Sequence, residues 1–276
     1  MNTVQDFFDH YRLEEFYNWQ HTRTSAPIRP FEKSIHKKFS FGIIPGYRNY
    51  DLFYERYLSA VLVIKEEKII QNGTKVLDIG TGDGFFKFFF DATFDEKIQW
   101  QGIEVWKERA EFCRHIGYEI SETNLENGVL PFDDESFDIV LASHVIEHIP
   151  NPHQMVREMG RVLKKGGVFL IATPTKPPLI AELDSLYHKI SSRKTGETQQ
   201  AFTHWQLQRL TLRAFNQKKD SIVDKRGFRI LSGRKKLPFE NWKWFYKASV
   251  FLGKRFMILV PEINIIIKKS KLKTDE

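Results

Sequence analysis

The stretch VLDIGTGDGFF, residues 76–86, puts an acid near the end of an apolar run and follows it with three glycines at alternate positions. Gly80 and Gly82 let a backbone turn tightly and approach a ligand closely, and a helix starting just after them offers free N–H groups to a polar ligand. A dinucleotide fingerprint would need its third glycine at position 85, but that residue is Phe85 and the glycine comes one place early, at Gly84. Asp78 is expensive in an apolar strand end without a partner, and an ammonium group would suit it. Glu104 ends the next apolar run, 22 residues past Gly82, where an acid accepts both hydroxyls of a ribose. Singly, these could be a tight turn, a loop cap and a surface charge. Their joint spacing argues for a bound nucleoside.

A second group, Ser143, His144, Glu147 and His148, follows the apolar run 137–143. His144 is the side chain best placed to meet a second substrate, and a neutral imidazole is a suitable base near pH 7. If 144–148 forms a helical turn, His148 falls on the same side. The Glu147–His148 pair has a structural alternative, which is to hold the loop. His10, His21, His115, His153, His188 and His204 are expected on the surface or in packing, and neither they nor Cys113 have metal-ligand spacing, so no metal is expected.

Residues 75–80, 98–104, 118–122, 137–143 and 167–173 have strand length and apolar or alternating character, and helical spacing fills 106–115 and 152–163 between them. The second helix has Asn151 as N-cap, Pro152 at its first position and Gln154 as capping partner, with Gly166–Gly167 as its stop. Strands alternating with helices predict a parallel sheet covered on both faces. A helix is expected at 49–71 and another from a Thr203 cap with Gln206 three places on. Two more strands are expected at 227–231 and 263–269, with an aromatic and basic helix at 240–256 between them.

With 41% hydrophobic and 28% charged residues, the 276-residue chain reads as one globular α/β domain with additions, not as a disordered or fibrous protein. One cysteine, no secretory pattern at the N-terminus and no apolar run of spanning length lead to the expectation of a cytoplasmic protein. The net charge of +7 is concentrated: residues 234–276 hold eleven Lys/Arg against four acids, so the rest of the chain is neutral overall.

The glycine loop with its acid resembles motif I of the class I S-adenosylmethionine (SAM)-dependent methyltransferases. NLENGVLPFDDESFDIVLASHVIEHIPNP, 124–152, is similar to the strand-four region of the ubiquinone/menaquinone-biosynthesis-like (methyltransferase type 11) branch. EMGRVLKKGGVFLIATP, 158–174, is similar to the helix and fifth strand of that branch. The resemblance covers about 73–175. It implies a Rossmann-like α/β fold: a seven-stranded, mostly parallel sheet with helices on both faces, a helical extension over 1–48, the methyltransferase domain over 49–276, and the 240–256 helix as acceptor lid. It implies SAM as cofactor, with Asp78, Gly80, Thr81, Gly82 and Gly84 around its methionine end, Glu104 on its ribose and Val105 on its adenine. Asn124 stands where the family has an aspartate for the adenine amino group, and Leu125 and Ser143 complete the expected lining.

Methyl transfer from a sulfonium is an in-line displacement, so the enzyme chiefly aligns the acceptor and keeps the site dry. A base is needed only where the acceptor must lose a proton, and His144 and His148 are the expected candidates. The expected acceptor is a small molecule, with a sugar or lipid-linked intermediate in view. A nucleic-acid methyltransferase is one alternative, although residues 142–145 read ASHV where many amino-methylating nucleic-acid enzymes carry Asn/Asp-Pro-Pro-aromatic. A non-catalytic SAM-binding protein is the other. Aromatics and cations at 240–256 fit an interfacial helix, making 234–273 a peripheral contact for an anionic membrane at the inner face; the same residues would fit a helix that buries its aromatics on the sheet.

Overall fold

The computed structural model describes residues 51–82, 84–178, 200, 202–218, 221–228 and 243–270; the expected extension over 1–48 lies outside them. Helix α1 (Asp51–Glu66) leads into strand β1 (Lys75–Ile79), followed by α2 (Phe85–Asp91), β2 (Gln99–Ile103), α3 (Lys107–His115) and β3 (Tyr118–Ser121). Then come β4 (Phe137–Ser143), α4 (Pro152–Val162), β5 (Leu163–Pro174), α5 (His204–Ala214), β6 (Ile222–Phe228), α6 (Lys243–Arg255) and β7 (Glu262–Lys268). The strands form one sheet in the order β3-β2-β1-β4-β5-β7-β6. β1 to β5 pair in parallel, and β7 runs antiparallel between β5 and β6.

Strand alternation divides the core into two layers. Val76, Trp100, Ile139, Leu141, Leu170 and Ile266 point to one face and pack with α1, α2 and α3; Leu77, Ile103, Val140, Phe169, Ile171 and Ile265 point to the other, under α4 and α5. The FFKFFFD run buries Phe86, Phe88, Phe89 and Phe90, with Tyr57 of α1 set edge-on to Phe86 at 4.9 Å. Both expected N-caps form. Asn151 Oδ1 accepts from the Gln154 N–H at 3.2 Å, and Thr203 and Gln206 make a full capping box.

The helix expected over 49–71 ends at Glu66, and two strand boundaries also differ from the sequence reading. β5 starts at Leu163, because Gly166–Gly167 forms an irregularity within the strand and not a helix stop: the pairing with β4 jumps from Phe137–Leu163 to Ile139–Val168, and Gly166 has φ +80°. β6 covers IVDKRGF and not 227–231; residues 229–231 lie outside the described residues. This strand is too polar for an apolar pattern to locate, and its place comes from pairing with β7.

Candidate functional site

β2 and β4 lie on opposite sides of β1, so the chain reverses its direction of travel across the sheet there and leaves a crevice at the C-terminal strand ends. The glycine loop forms its floor. Gly80, Gly82 and Gly84 all have positive φ (+68°, +53° and +72°), which side-chain-bearing residues rarely adopt. A Cβ on Gly80 would run into Val145, whereas one on Gly82 would meet nothing among the described residues nearer than Gly80 O at 3.9 Å, which leaves room above Gly82.

Glu104 is buried and clasps this loop. Its Oε2 accepts from the Gly82 N–H at 2.9 Å and its Oε1 from the Trp106 N–H at 3.0 Å. A carboxylate has about four acceptor positions, so two bonds leave capacity for a diol. Val105 next to it is 53% exposed, open to a flat ring. Asn124 caps the 3-10 turn Leu125–Asn127 by accepting from the Glu126 N–H at 2.9 Å, and its amide donates to Glu126 at 3.2 Å, so both ends of its side chain are engaged locally. Leu125 is buried behind it. Thr81 turns its hydroxyl inward, accepting from Cys113 Sγ at 3.2 Å, which leaves its backbone for the loop surface.

Asp78 is buried and accepts a hydrogen bond from the Tyr118 hydroxyl at 3.0 Å. Tyr118 belongs to β3, two strands away, and its ring reaches β1 across Gly102 of β2. A Cβ there would collide with Thr81, come within 2.8 Å of Ile120 and press on the Tyr118 ring at 3.2 Å. Burial is the main cause that pushes the Asp78 carboxyl up to about 7; the Tyr118 bond opposes the shift and the Glu104 charge adds to it. Such a group is poised to ionise when a cation arrives.

On the other side of the crevice, His144 follows β4 in a left-handed conformation (φ +57°), its N–H donating to Ala172 O at 2.9 Å. Its Nε2 lies 2.5 Å from Arg56 Nη1 of α1 and 3.0 Å from Glu262 Oε1 at the start of β7, and Arg56 donates to the same Glu262 oxygen at 2.8 Å. Nε2 can accept from the guanidinium or donate to the carboxylate, but not both at once. Arg56 and the His144 ring hold the Glu262 carboxyl well below the usual range despite its burial. His144 is therefore tied to α1 and β7, with its side chain 33% exposed on the crevice side. Glu147 is buried and accepts from Thr173 Oγ1 at 3.0 Å, which favours the loop-holding reading, and His148 is exposed at the end of the 3-10 turn Ile146–His148.

Ser143 sits in register with Ala172 and Asn264 across β4, β5 and β7. Ser143 Oγ and Asn264 Oδ1 are buried and make no hydrogen bond among the described residues. An orphaned hydroxyl beside a glycine cradle with open space, a clasped carboxylate and a buried acid together fit a nucleoside bearing an ammonium group. Among the described residues no group of His, Cys, Asp and Glu could hold a metal ion.

Residues 77–171 match the family model described as a methyltransferase domain. An uncharacterized protein of Methanocaldococcus jannaschii is 35% identical over 118 residues, 43% of this chain and 50% of that protein. A demethylmenaquinone methyltransferase of Staphylococcus epidermidis is 30% identical over 125 residues, 44% of this chain and 52% of that protein. The chain thus spans about half the length of these curated relatives. Among solved structures, a putative sarcosine dimethylglycine methyltransferase from Galdieria sulphuraria superposes with a TM-score of 0.55 over 81% of this chain and 88% of that chain, at 16% identity. Geranyl diphosphate methyltransferase in complex with SAM gives 0.53 over 85% and 94%, at 15% identity. At such identities the structural likeness establishes the fold, and the seven-stranded, mostly parallel Rossmann-like sheet is that of these methyltransferases.

Proposed function

We propose that this chain, which carries a methyltransferase domain over residues 77–171, transfers a methyl group from SAM to a small-molecule acceptor. The observation that carries the reading is the clasp at the first two strand ends: Glu104 bonded to the Gly82 amide, beside a buried Asp78 and an open glycine cradle. SAM supplies an electrophilic methyl on a sulfonium, with a neutral leaving group. Glu104 would take the ribose hydroxyls on its remaining lone pairs, and Asp78 the ammonium charge. Val105 would pack on the adenine, Asn124 and Leu125 would border it, and the backbone of Thr81 and Gly82 would line the methionine end. Ser143 Oγ, without a hydrogen-bond partner among the described residues, would be available to that same end.

The acceptor would enter between α1 and the His144 corner. His144 is our choice for the side chain that contacts it, held in place by Arg56 and Glu262. His148 keeps a secondary place, because it is exposed and further along the turn. A small-molecule acceptor accords with the relative named demethylmenaquinone methyltransferase. Within that class, a sugar or lipid-linked intermediate is our preferred reading.

The test is calorimetric SAM binding followed by a labelled-methyl screen over fractionated small molecules. Glu104→Ala is expected to weaken SAM binding roughly tenfold to a hundredfold, the worth of one or two hydrogen bonds to a charged group. Wild-type protein that does not bind SAM would end the proposal; a folded Glu104→Ala variant with unchanged affinity would remove Glu104 from it.

A further inference from the structure

α6 meets β6 through one face. Phe245, Ser249 and Gly253, spaced by four, are buried, and Gly253 O lies 3.0 Å from where a Cβ on Gly227 of β6 would stand. The Val260 side chain, just beyond the helix, lies over Gly227 at the same point, and only a glycine leaves room for both. Several large side chains of the helix and of the segment after it lie on the outside. Trp244 is 63% exposed and Phe251 69%, and the chain continues into Phe256 at 47%, Ile258 at 39% and Leu259 at 57%. Five of the nine large hydrophobic side chains exposed among the described residues thus fall between 244 and 259. Single exposed apolar residues are ordinary, but a contiguous set marks a docking surface.

Charge identifies what docks. Lys247, Lys254 and Arg255 are exposed and interleave with these apolar residues, sharing the face of Trp244 and Phe251 at helical spacing. From 243 to 261 there is no acidic residue, and the next one, Glu262, is buried against Arg56. A second copy of the chain in a two-fold contact would set these cations against their own duplicates. A surface of anionic headgroups over an apolar interior suits both components at once.

We propose that the face from Trp244 to Leu259 docks on the surface of an anionic phospholipid bilayer. The aromatic and aliphatic tips enter the acyl boundary while Lys247, Lys254 and Arg255 lie among the headgroups. No helix among the described residues is long and apolar enough to cross a membrane, and the contact proposed lies on the surface. The patch ends three residues before Glu262, so it adjoins the Arg56–His144 side of the crevice. The docking does not depend on which acceptor is methylated, nor on methyl transfer itself.

The experiment is flotation of the full-length protein with vesicles of phosphatidylcholine containing phosphatidylglycerol, and with phosphatidylcholine alone, at low and high salt. Flotation is expected only with the anionic vesicles, weakening as salt rises. Lys254→Gln with Arg255→Gln should lower partitioning roughly 30-fold, equivalent to ~1 kcal/mol for each charge near the surface. Phe251→Ser with Leu259→Ser should reduce it by a further comparable factor. All four side chains are exposed, so melting temperature and SAM binding should stay as in wild type and serve as fold controls. Wild-type protein that stays unbound to anionic vesicles at low salt overturns the proposal, as do folded patch variants that float like wild type. Patch variants that only convert a dimer to a monomer in sedimentation would assign the face to a second copy, and overturn it too.

Discussion

The Asp78 carboxyl lies behind the glycine loop with one hydrogen-bond donor, Tyr118, and no cation among its hydrogen-bond partners in the described residues. With its pKa raised to about 7 from 3.8, the folded protein keeps a proton that the unfolded chain gives up, so stability falls as pH rises from about 4 to 7. An ammonium group placed against Asp78 reverses the balance, and SAM binding near neutral pH should release part of a proton. Calorimetry in buffers of different ionisation enthalpy reads this directly: the binding enthalpy should depend on buffer for wild type and not for Asp78→Asn. Equal enthalpies in all buffers for wild type would show that Asp78 does not meet the ammonium. His144 invites a different experiment. His144→Ala should lower turnover at least tenfold with SAM affinity nearly unchanged, as expected for a group that acts on the acceptor side; unchanged turnover would remove it from the mechanism. Asp78, Glu104 and the glycines could be found in the sequence because each sits at a strand end marked by its own apolar run. Tyr118, Arg56 and Glu262 could not, since their partners lie 40 to 206 residues away. The one local sign was that Glu262 opens the apolar run INIII, as costly a place for an acid as that of Asp78.

At the scale of elements, Arg56 and Glu262 fix α1 to β7. Both side chains are buried, and Asn264 of β7 adds a bond to Arg56 O at 2.9 Å. Because the folded Glu262 pKa is depressed, its contribution is fully present above the ordinary glutamate range and is lost progressively as pH falls below about 4.5. Glu262→Gln leaves Arg56 buried without that charge and should cost about 3 kcal/mol or more, read by denaturant unfolding, whereas Arg56→Met with Glu262→Leu should recover much of it. A Glu262→Gln variant as stable as wild type would show that the pair does not hold the helix. The parallel strands were legible to within a residue or two, except for the start of β5, where the polar LKKGG segment hides four residues of strand. β6 was misplaced because its IVDKRGF segment lies at the sheet edge. The orientation of α6 was open in the sequence, because helical spacing lets its aromatics face either way. What decides it is the burial of Phe245, Ser249 and Gly253 where the helix and Val260 close over Gly227 of β6, a residue of a different element.

At the scale of the molecule, the sheet order has a consequence in time. The side of the crevice proposed for the cofactor is built from β1, β2 and β4, which leave the ribosome within one continuous stretch and pair with strands already made. The acceptor side is not. β6 is synthesised before β7 yet reaches the sheet only through it, and Arg56, near the start of the described chain, acquires Glu262 only after 206 further residues have been added. β7 is the keystone: inserting it antiparallel between β5 and β6 brings the edge strand, the outward-facing helix and the Arg56–His144 corner into place together. A nascent chain can therefore hold the glycine cradle proposed for the methyl donor while the half proposed to meet the acceptor has yet to close.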